Sequence, residues 1–507
     1  MSLLLIVIVV LLSILVVLNH RKRHRYPLPP GPPTERTWVG RQTINLPSVL
    51  PWKVYHEWSK AFGPVLSLSL PGTPPRRVIL LSTPSDINNL YNNRSSIYCT
   101  RPTWEMARLI GRQNNVAFTP YGPRLKRARR FLHAALGPKE VESWQALLDK
   151  EVNNFLRDLI SRDEHERSLT LSKLIDSHVS NTATFLTYGH HASPQFVAES
   201  EKINLDTGMS LIPGRWALEG FPLLKYLPSF LPGMGFKRWA LQAKKRLDDQ
   251  VRREFEKAKQ AIDSGSTARC LVAHALAEPL SQEEIFILKC TAGSVYGAAT
   301  DTTTALLHSA LYILSLHPAI QASCFAHVGS FNRLPDASDE PSLPYFTAFI
   351  RELHRFRPVV NLIAHSPIQE DVVDGWRIEK GVWVIGNIWS VCHDVELYPK
   401  PGEFKPERHL DDEGKLDAAV KDPRDLTFGF GRRRCPGEHF ANAHTFLFLS
   451  RFIYMFEVFS THPSSDLSEK LEWSSSFISR PKKENFKIGI KLRTESLKEF
   501  LQQGLKV

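Results

Sequence analysis

The chain has 507 residues, 42% of them hydrophobic and 10% aromatic, so it can bury a large core and is not a mainly disordered protein. Its net charge is +12, but no nucleic-acid-binding motif accompanies the basic residues, and we expect no nucleic-acid partner. The six cysteines are widely scattered and do not indicate a disulfide framework.

The chain begins with an uncharged apolar run, residues 2–18, close to the lower limit of the roughly 17–25 residues that cross a bilayer as a helix. The basic sequence NHRKRHR follows it, without the features of a cleaved signal peptide. We therefore predict a transmembrane anchor over residues 1–19, a basic and proline-rich hinge over 20–33, and one domain over 34–507. The charge after the anchor predicts that this domain faces the cytosol, and the basic residues should contact membrane lipid.

Helical periodicity dominates residues 85–357. Residues 281–317 predict an unusually long helix that is apolar on nearly every face, and Ser281 and Glu284 form a capping-box pattern at its start. A second helix is predicted over residues 344–357, between two prolines.

After these helices the pattern alternates between apolar and polar residues. Residues 374–386 predict a hairpin with turns at Asp374-Gly375 and Lys380-Gly381, and the sequence NFKIGIKL near the carboxyl end alternates in the same way. The fold class predicted is therefore mainly α with a minor β region.

The sequence FGFGRRRCPGEHFA, residues 428–441, places Cys435 among glycines and arginines. A zinc site could recruit His439 or the upstream Cys392-His393, but structural zinc sites usually use paired, closely spaced ligands, and the chain has no Cys-x-x-Cys. A nucleophilic cysteine needs a paired base, and none is evident nearby. A buried inert cysteine does not account for the flanking glycines and arginines.

Haem ligation accounts for these neighbours. Gly431 and Gly437 would let the backbone pass close to a flat macrocycle, and backbone N–H groups would stabilise a thiolate. A nearby arginine can bind a haem propionate.

The spacing of Phe428, Gly431, Arg433, Cys435 and Gly437 resembles the haem-binding loop of the cytochrome P-450 monooxygenases. The resemblance extends from the anchor to about residue 492. It implies the cytochrome P-450 fold, with the long central helix over haem b (iron protoporphyrin IX) and Cys435 as the ligand of the iron.

Other stretches resemble the same family. Glu352 and Arg355 look like its E-x-x-R pair, and Arg408 looks like the partner of that pair. Asp301 and Thr302 match the acid and alcohol of the oxygen-binding segment, which implies that they deliver protons.

Two positions depart from the family pattern. Ala299 replaces a glycine of the oxygen-binding segment, and Leu125 replaces the tryptophan of the Trp-x-x-x-Arg motif, although Arg129 is retained.

His365 occupies a position at which many members of the family carry another donor to a haem propionate. The resemblance therefore implies that His365 and Arg129 bind the cofactor.

The resemblance implies a monooxygenase that inserts one oxygen atom from O2 into an apolar small molecule, with electrons from NADPH through a separate flavoprotein reductase. The chain looks most like fungal members of secondary metabolism, anchored in the endoplasmic reticulum membrane. The basic stretch at residues 124–130 would face the acidic surface of the reductase.

Two alternative functions are a haem-thiolate isomerase or dehydratase and a non-catalytic haem-binding membrane protein. The apolar residues expected to line the substrate pocket are Leu211, Ile212, Phe221, Val359, Leu362 and Phe477.

Overall fold

A computed structural model describes residues 26–36, 42–44, 46–72, 76–212, 214–331, 333–461, 473–474, 477–482 and 488–494. The predicted anchor lies outside these residues. Within the described part, no helix is both long and apolar enough to cross a membrane.

Helices make up most of the described chain. Their bounds are α1 Pro51–Phe62, α2 Pro84–Asn88, α3 Glu105–Leu109, α4 Pro123–Leu136, α5 Gln145–Ile160, α6 Glu164–Tyr188, α7 Pro194–Ser210, α8 Ala217–Gly220, α9 Gly235–Asp263, α10 Leu271–Leu276, α11 Gln282–Leu316, α12 Pro318–Gly329, α13 Pro344–Phe356, α14 Ile388–Cys392, α15 Arg424–Thr427 and α16 Glu438–Met455.

The strands form one four-stranded sheet and smaller antiparallel pairs. Their bounds are β1 Glu35–Arg36, β2 Gln42–Thr43, β3 Val65–Leu70, β4 Arg76–Leu81, β5 Leu362–His365, β6 Asp371–Val373, β7 Trp376–Ile378, β8 Trp383–Asn387, β9 Phe456–Ser460 and β10 Ile488–Leu492. The larger sheet has the order β3-β4-β8-β5, in which β4 and β8 are parallel and the other neighbours are antiparallel. The prediction of a mainly helical fold with a minor sheet is confirmed.

The long helix α11 crosses the core, as its apolar sequence predicts. Ser281 accepts a hydrogen bond from the Glu284 backbone, and the Glu284 side chain accepts one from the Ser281 backbone, so the predicted capping box is present. Gly293 allows α11 to approach α9, because a methyl group there would lie 2.5 Å from a methyl group of Val251. Ala299 does not interrupt the helix.

The predicted hairpin over residues 374–386 is only partly correct. The turn at Asp374-Gly375 joins β6 to β7, and both turn residues have the positive φ angles that a tight hairpin turn requires. After the second turn, however, β8 joins the large sheet and pairs with β4 and β5. The reason is that its five residues are all buried, which requires sheet neighbours from distant parts of the chain.

The described part of the predicted hinge contacts the sheet. The Pro30 carbonyl accepts a hydrogen bond of 2.7 Å from the Ser67 amide, and the Pro27 carbonyl accepts one of 3.0 Å from the Arg377 amide. Residues 26–33 are therefore attached to the domain by backbone hydrogen bonds.

Candidate active site

The loop that carries Cys435 lies between α15 and α16, and we call residues 428–437 the cysteine loop. The Cys435 amide donates a hydrogen bond of 2.8 Å to the Phe428 carbonyl, which closes the loop on itself. Gly431 has a φ angle of +48°, and a side chain there would collide with the Tyr91 carbonyl. Glycine at this position therefore serves the fit of the loop against residues 89–93.

The surroundings of the Cys435 thiol combine access to solvent with nearby protein atoms. The residue is accessible to solvent, yet protein surrounds the sulfur closely enough for burial to raise the pKa of the thiol. A backbone hydrogen bond from Gly437 and the positive charges of Arg129 and Arg434 lower this pKa and favour the thiolate, whereas the negative charge of Glu438 raises it further. A side chain at Gly437 would meet no protein atom, so this residue borders open space.

Four basic groups gather beside the cysteine loop, and we call Arg101, Arg129, Arg433 and His365 the basic cluster. Arg433 donates to the carbonyls of Cys99 and Thr119, at 2.6 and 2.8 Å. The other members bond to backbone carbonyls in the same way: Arg129 to Arg434 at 3.0 Å, Arg101 to Ala364, and His365 Nδ1 to Tyr98 at 2.7 Å.

No carboxylate among the described residues forms an ion pair with an arginine of this cluster. Burial, followed by the positive charge of neighbouring members, lowers the pKa of Arg433 to about 9. Burial is also the main cause that lowers the pKa of Arg101 to about 10. His365 is 1% exposed, and its Nε2 has no hydrogen-bond partner among the described residues.

Such a cluster fits the two propionates of a haem. Buried cations are costly unless anions neutralise them, and an unpartnered ring nitrogen needs a bond of its own. Cys435 adds the soft thiolate that iron accepts. The residues present therefore match the cofactor that the sequence implies, with Leu125 buried where the family places a propionate-binding tryptophan.

Arg101 is the cluster member that sequence reasoning missed. The only signal was its position before Pro102, at the start of the segment predicted to line the pocket. Its proximity to Arg129 and Arg433 depends on tertiary folding, because these three residues come from different segments of the chain.

Asp301 lies on α11, and its carboxylate faces charged groups from other segments. Burial raises its pKa, which Arg480, Arg112 and a hydrogen bond from Asn204 partly offset. The nearest atoms of Asp301 and Arg480 are 3.9 Å apart. A carboxyl group whose pKa is raised keeps its proton to higher pH, which suits a proton donor.

Thr302 follows on the same helix. Its Oγ1 donates a hydrogen bond of 2.8 Å to the Ala298 carbonyl, the bond that helix threonines commonly form. The lone pairs of Oγ1 remain available to accept a bond, whereas donation to another group requires this bond to break.

The E-x-x-R residues form a buried ion network. Arg355 binds both carboxylate oxygens of Glu352, at 2.7 and 2.8 Å, and Arg408 binds one of them at 3.1 Å. His409, which the sequence reasoning did not single out, binds the other oxygen at 3.1 Å. Arg355 also donates to the Cys392 carbonyl, so the network ties α13 to the segments before the cysteine loop.

The residues considered for zinc are engaged differently. His393 stacks on Trp389 with ring centroids 3.9 Å apart, Cys392 is fully buried, and His439 is exposed. Across the described ranges, no three His, Cys, Asp or Glu side chains converge as metal ligands.

The residues expected to line the pocket divide into two sets. Val359, Leu362, Leu211 and Ile212 are partly buried, whereas Phe221 and Phe477 are 50% and 51% exposed. Phe221 belongs to a run of exposed apolar side chains rather than to the interior.

The basic stretch at residues 124–130, predicted to face the reductase, is only partly exposed. Lys126 and Arg130 are exposed on α4, but Arg127 is half-buried and paired with Glu284 at 2.8 Å. Arg129 points instead to the cysteine loop.

Comparison with known proteins decides the family. The family model described as Cytochrome P450 matches residues 29–488. The chain belongs to the cytochrome P450 family. Cytochrome P450 monooxygenase 98 of Postia placenta is 32% identical over 87% of this chain and 85% of its own length. Tryptamine 4-monooxygenase of Psilocybe cyanescens is 30% identical over 90% of this chain and 91% of its own.

A solved structure supports the fold of this P450. A zebra fish cytochrome P450 with abiraterone superimposes with a TM-score of 0.70 at 21% identity, covering 88% of this chain and all of that one. The prediction of the family and of a haem-thiolate monooxygenase is thus confirmed.

Proposed function

We propose that this P450 uses NADPH, through a separate flavoprotein reductase, to insert one oxygen atom of O2 into an apolar small molecule of fungal secondary metabolism. The observation that carries the proposal is the basic cluster beside Cys435, because its three arginines bond to backbone carbonyls but form no ion pair among the described residues, and an anionic cofactor would neutralise them. The two fungal relatives named above, both called monooxygenases, support the reaction and the setting.

The residues would divide the work as follows. Cys435 would bind the haem iron, and the basic cluster would bind the propionates. When bound, the haem activates O2, and thiolate ligation favours cleavage of the O–O bond. Asp301 would supply a proton from its carboxyl group, and Thr302 would accept and pass it on through Oγ1. An isomerase or dehydratase has no need of this pair.

The exposed basic residues support docking of a reductase. Lys126 and Arg130 on α4 and Arg432 on the cysteine loop are exposed, and the bond from Arg129 to the Arg434 carbonyl joins the two elements. An acidic partner would complement this face and accelerate association.

A run of exposed apolar side chains supports attachment to the cytosolic face of the endoplasmic reticulum membrane, in addition to the proposed anchor. Leu223, Tyr226 and Phe230 are 77%, 74% and 79% exposed in the segment between α8 and α9. Apolar surface of this kind commonly contacts lipid or protein. Fractionation of fungal cells tests the location, and recovery of the full chain in the soluble fraction would contradict it.

Replacement of Thr302 tests the reaction. In Thr302→Ala, with reductase and a substrate identified by spectral binding, we expect product to fall at least about tenfold while NADPH consumption continues and hydrogen peroxide accumulates. The reason is that electrons still arrive but proton delivery fails. Thr303→Ala, a buried neighbour on α11, is the control. Unchanged product yield in Thr302→Ala would contradict the role of this hydroxyl.

A further inference from the structure

Two arginines, Arg480 and Arg112, lie near Asp301 of α11, and neither donates a hydrogen bond to a carboxylate in the described part of the chain. Arg480 belongs to a turn that backbone bonds hold in place: the Ser474 amide donates to the Arg480 carbonyl at 2.9 Å, and the Ser479 amide donates to the Val359 carbonyl at 2.8 Å. The turn therefore presents Arg480 to α11 from a fixed position beside the segment that follows α13.

The guanidinium of Arg480 has N–H donors that no acceptor among the described residues binds. Its nearest carboxylate oxygen, in Asp301, is 3.9 Å away, which is too long for a hydrogen bond. No side-chain N–H of Arg480 donates to another group in the described part of the chain. A guanidinium carries five N–H donors, so this side chain can bind a carboxylate with two parallel bonds.

Arg112 adds a second positive charge behind Asp301. It is 5% exposed, and its Nε donates to the Thr207 hydroxyl at 2.7 Å. The carboxylate of Asp206 also favours the charged form of Arg112, although its hydrogen bonds go to Arg246, at 2.5 Å. Two arginines and the exposed carboxylate of Glu201 thus act on Asp301, and Arg480 is the arginine whose side-chain donors have no acceptor among the described residues.

We propose that Arg480, supported by the charge of Arg112, binds a carboxylate group on the otherwise apolar substrate. The inference rests on the proposed function and narrows its substrate class to apolar carboxylic acids. It modifies the expectation of a wholly apolar pocket, because the liners named from the sequence include no charged residue. A neutral analogue would offer the guanidinium of Arg480 no charged acceptor and should bind more weakly.

Matched ligands test the proposal in the full-length, haem-loaded protein. Binding of the straight-chain acids from octanoic to hexadecanoic acid is compared by calorimetry with binding of the primary alcohols of the same lengths, at neutral pH. For the length that binds best, we expect the acid to bind at least about tenfold more tightly than the alcohol, as for a hydrogen bond to a charged group.

Variants assign the preference to Arg480. Arg480→Gln should bring the affinities for acid and alcohol to within about twofold, and Arg480→Lys should retain only part of the preference, because it keeps the charge but not the two parallel bonds. Arg215→Gln, which removes an exposed arginine elsewhere, is the control and should behave as the unsubstituted chain does.

Three results would each overturn the inference: equal affinity for acid and alcohol in the unsubstituted chain, absence of acid binding at every length, or a preference that survives Arg480→Gln. If the alcohols bind and the haem-thiolate spectrum is intact, the proposed monooxygenase function stands while the carboxylate site fails. If the protein takes up no haem, both fail.

Discussion

Individual side chains around Cys435 are arranged for a ligand larger than a metal ion. Each arginine of the basic cluster donates one or more hydrogen bonds to a backbone carbonyl and forms no ion pair among the described residues. Carbonyl bonds hold a guanidinium in position without neutralising it, so the charge remains available to a bound anion. We therefore propose that the cluster is arranged to bind propionates before haem binds.

Arg129 and its neighbour Arg130 provide a matched test of this arrangement. Arg129→Met should release haem about 10–100 times faster, the effect of losing a charged hydrogen bond. Arg130→Met should leave the rate unchanged, because Arg130 is exposed. Transfer of haem to apomyoglobin measures both rates. Equal rates in the two variants would remove Arg129 from the cofactor site.

At the scale of elements, the Glu352 network joins α13 to the chain that precedes the cysteine loop. Burial opposes ionisation of Glu352, but hydrogen bonds from Arg355 and His409 and the charge of Arg355 together lower its pKa to about 2. A carboxyl whose folded pKa is depressed stabilises the fold above its unfolded pKa of about 4.3, and this contribution is lost as pH falls towards about 2. The network is thus fully effective at neutral pH.

Loss of the Glu352 charge should be severe. Glu352→Gln leaves Arg355 buried without a counter-charge, and we expect the free energy of unfolding to fall by about 3–5 kcal/mol. Glu57→Gln breaks an exposed pair with Lys60 and should cost less than about 1 kcal/mol. Urea unfolding measures both values, and a similar cost for the two variants would refute the structural role of the network.

Several elements could be predicted from the sequence, and others could not. Helices α11 and α13 begin and end within about two residues of their predicted bounds, because caps and prolines are local signals. The strand β8 was assigned to the wrong partner, since its pairing with β4 joins segments about three hundred residues apart. For the same reason Arg101 and His409 were missed, as only the folded chain brings them to their partners.

At the scale of the whole molecule, buried histidines make the fold sensitive to acid. His178 and His444 join α6 to α16 through their Nε2 atoms, 2.8 Å apart, and both rings are buried. Burial lowers the pKa of His444 to about 4, against about 6.5 in an unfolded chain. Between these values the unfolded chain binds more protons than the folded chain, so stability decreases as pH falls through this window.

Replacement of His444 should reduce this acid sensitivity. The difference of about 2.5 pKa units corresponds to roughly 3 kcal/mol, which the unsubstituted chain should lose between about pH 6.5 and 4. His444→Gln should lose correspondingly less over the same range. His439→Gln, an exposed position on the same helix, should follow the unsubstituted chain. Thermal unfolding across this pH range decides, and parallel curves for all three proteins would contradict the prediction.

The central claim, that Cys435 and the basic cluster form a haem-thiolate site, is tested most directly by the carbon monoxide difference spectrum of the reduced protein beside Cys435→Ala. We predict a strongly red-shifted Soret band in the unsubstituted chain and its absence in the variant, because only a thiolate ligand produces this shift. A chain that contains haem but lacks the band, or a variant that retains it, would contradict the assignment.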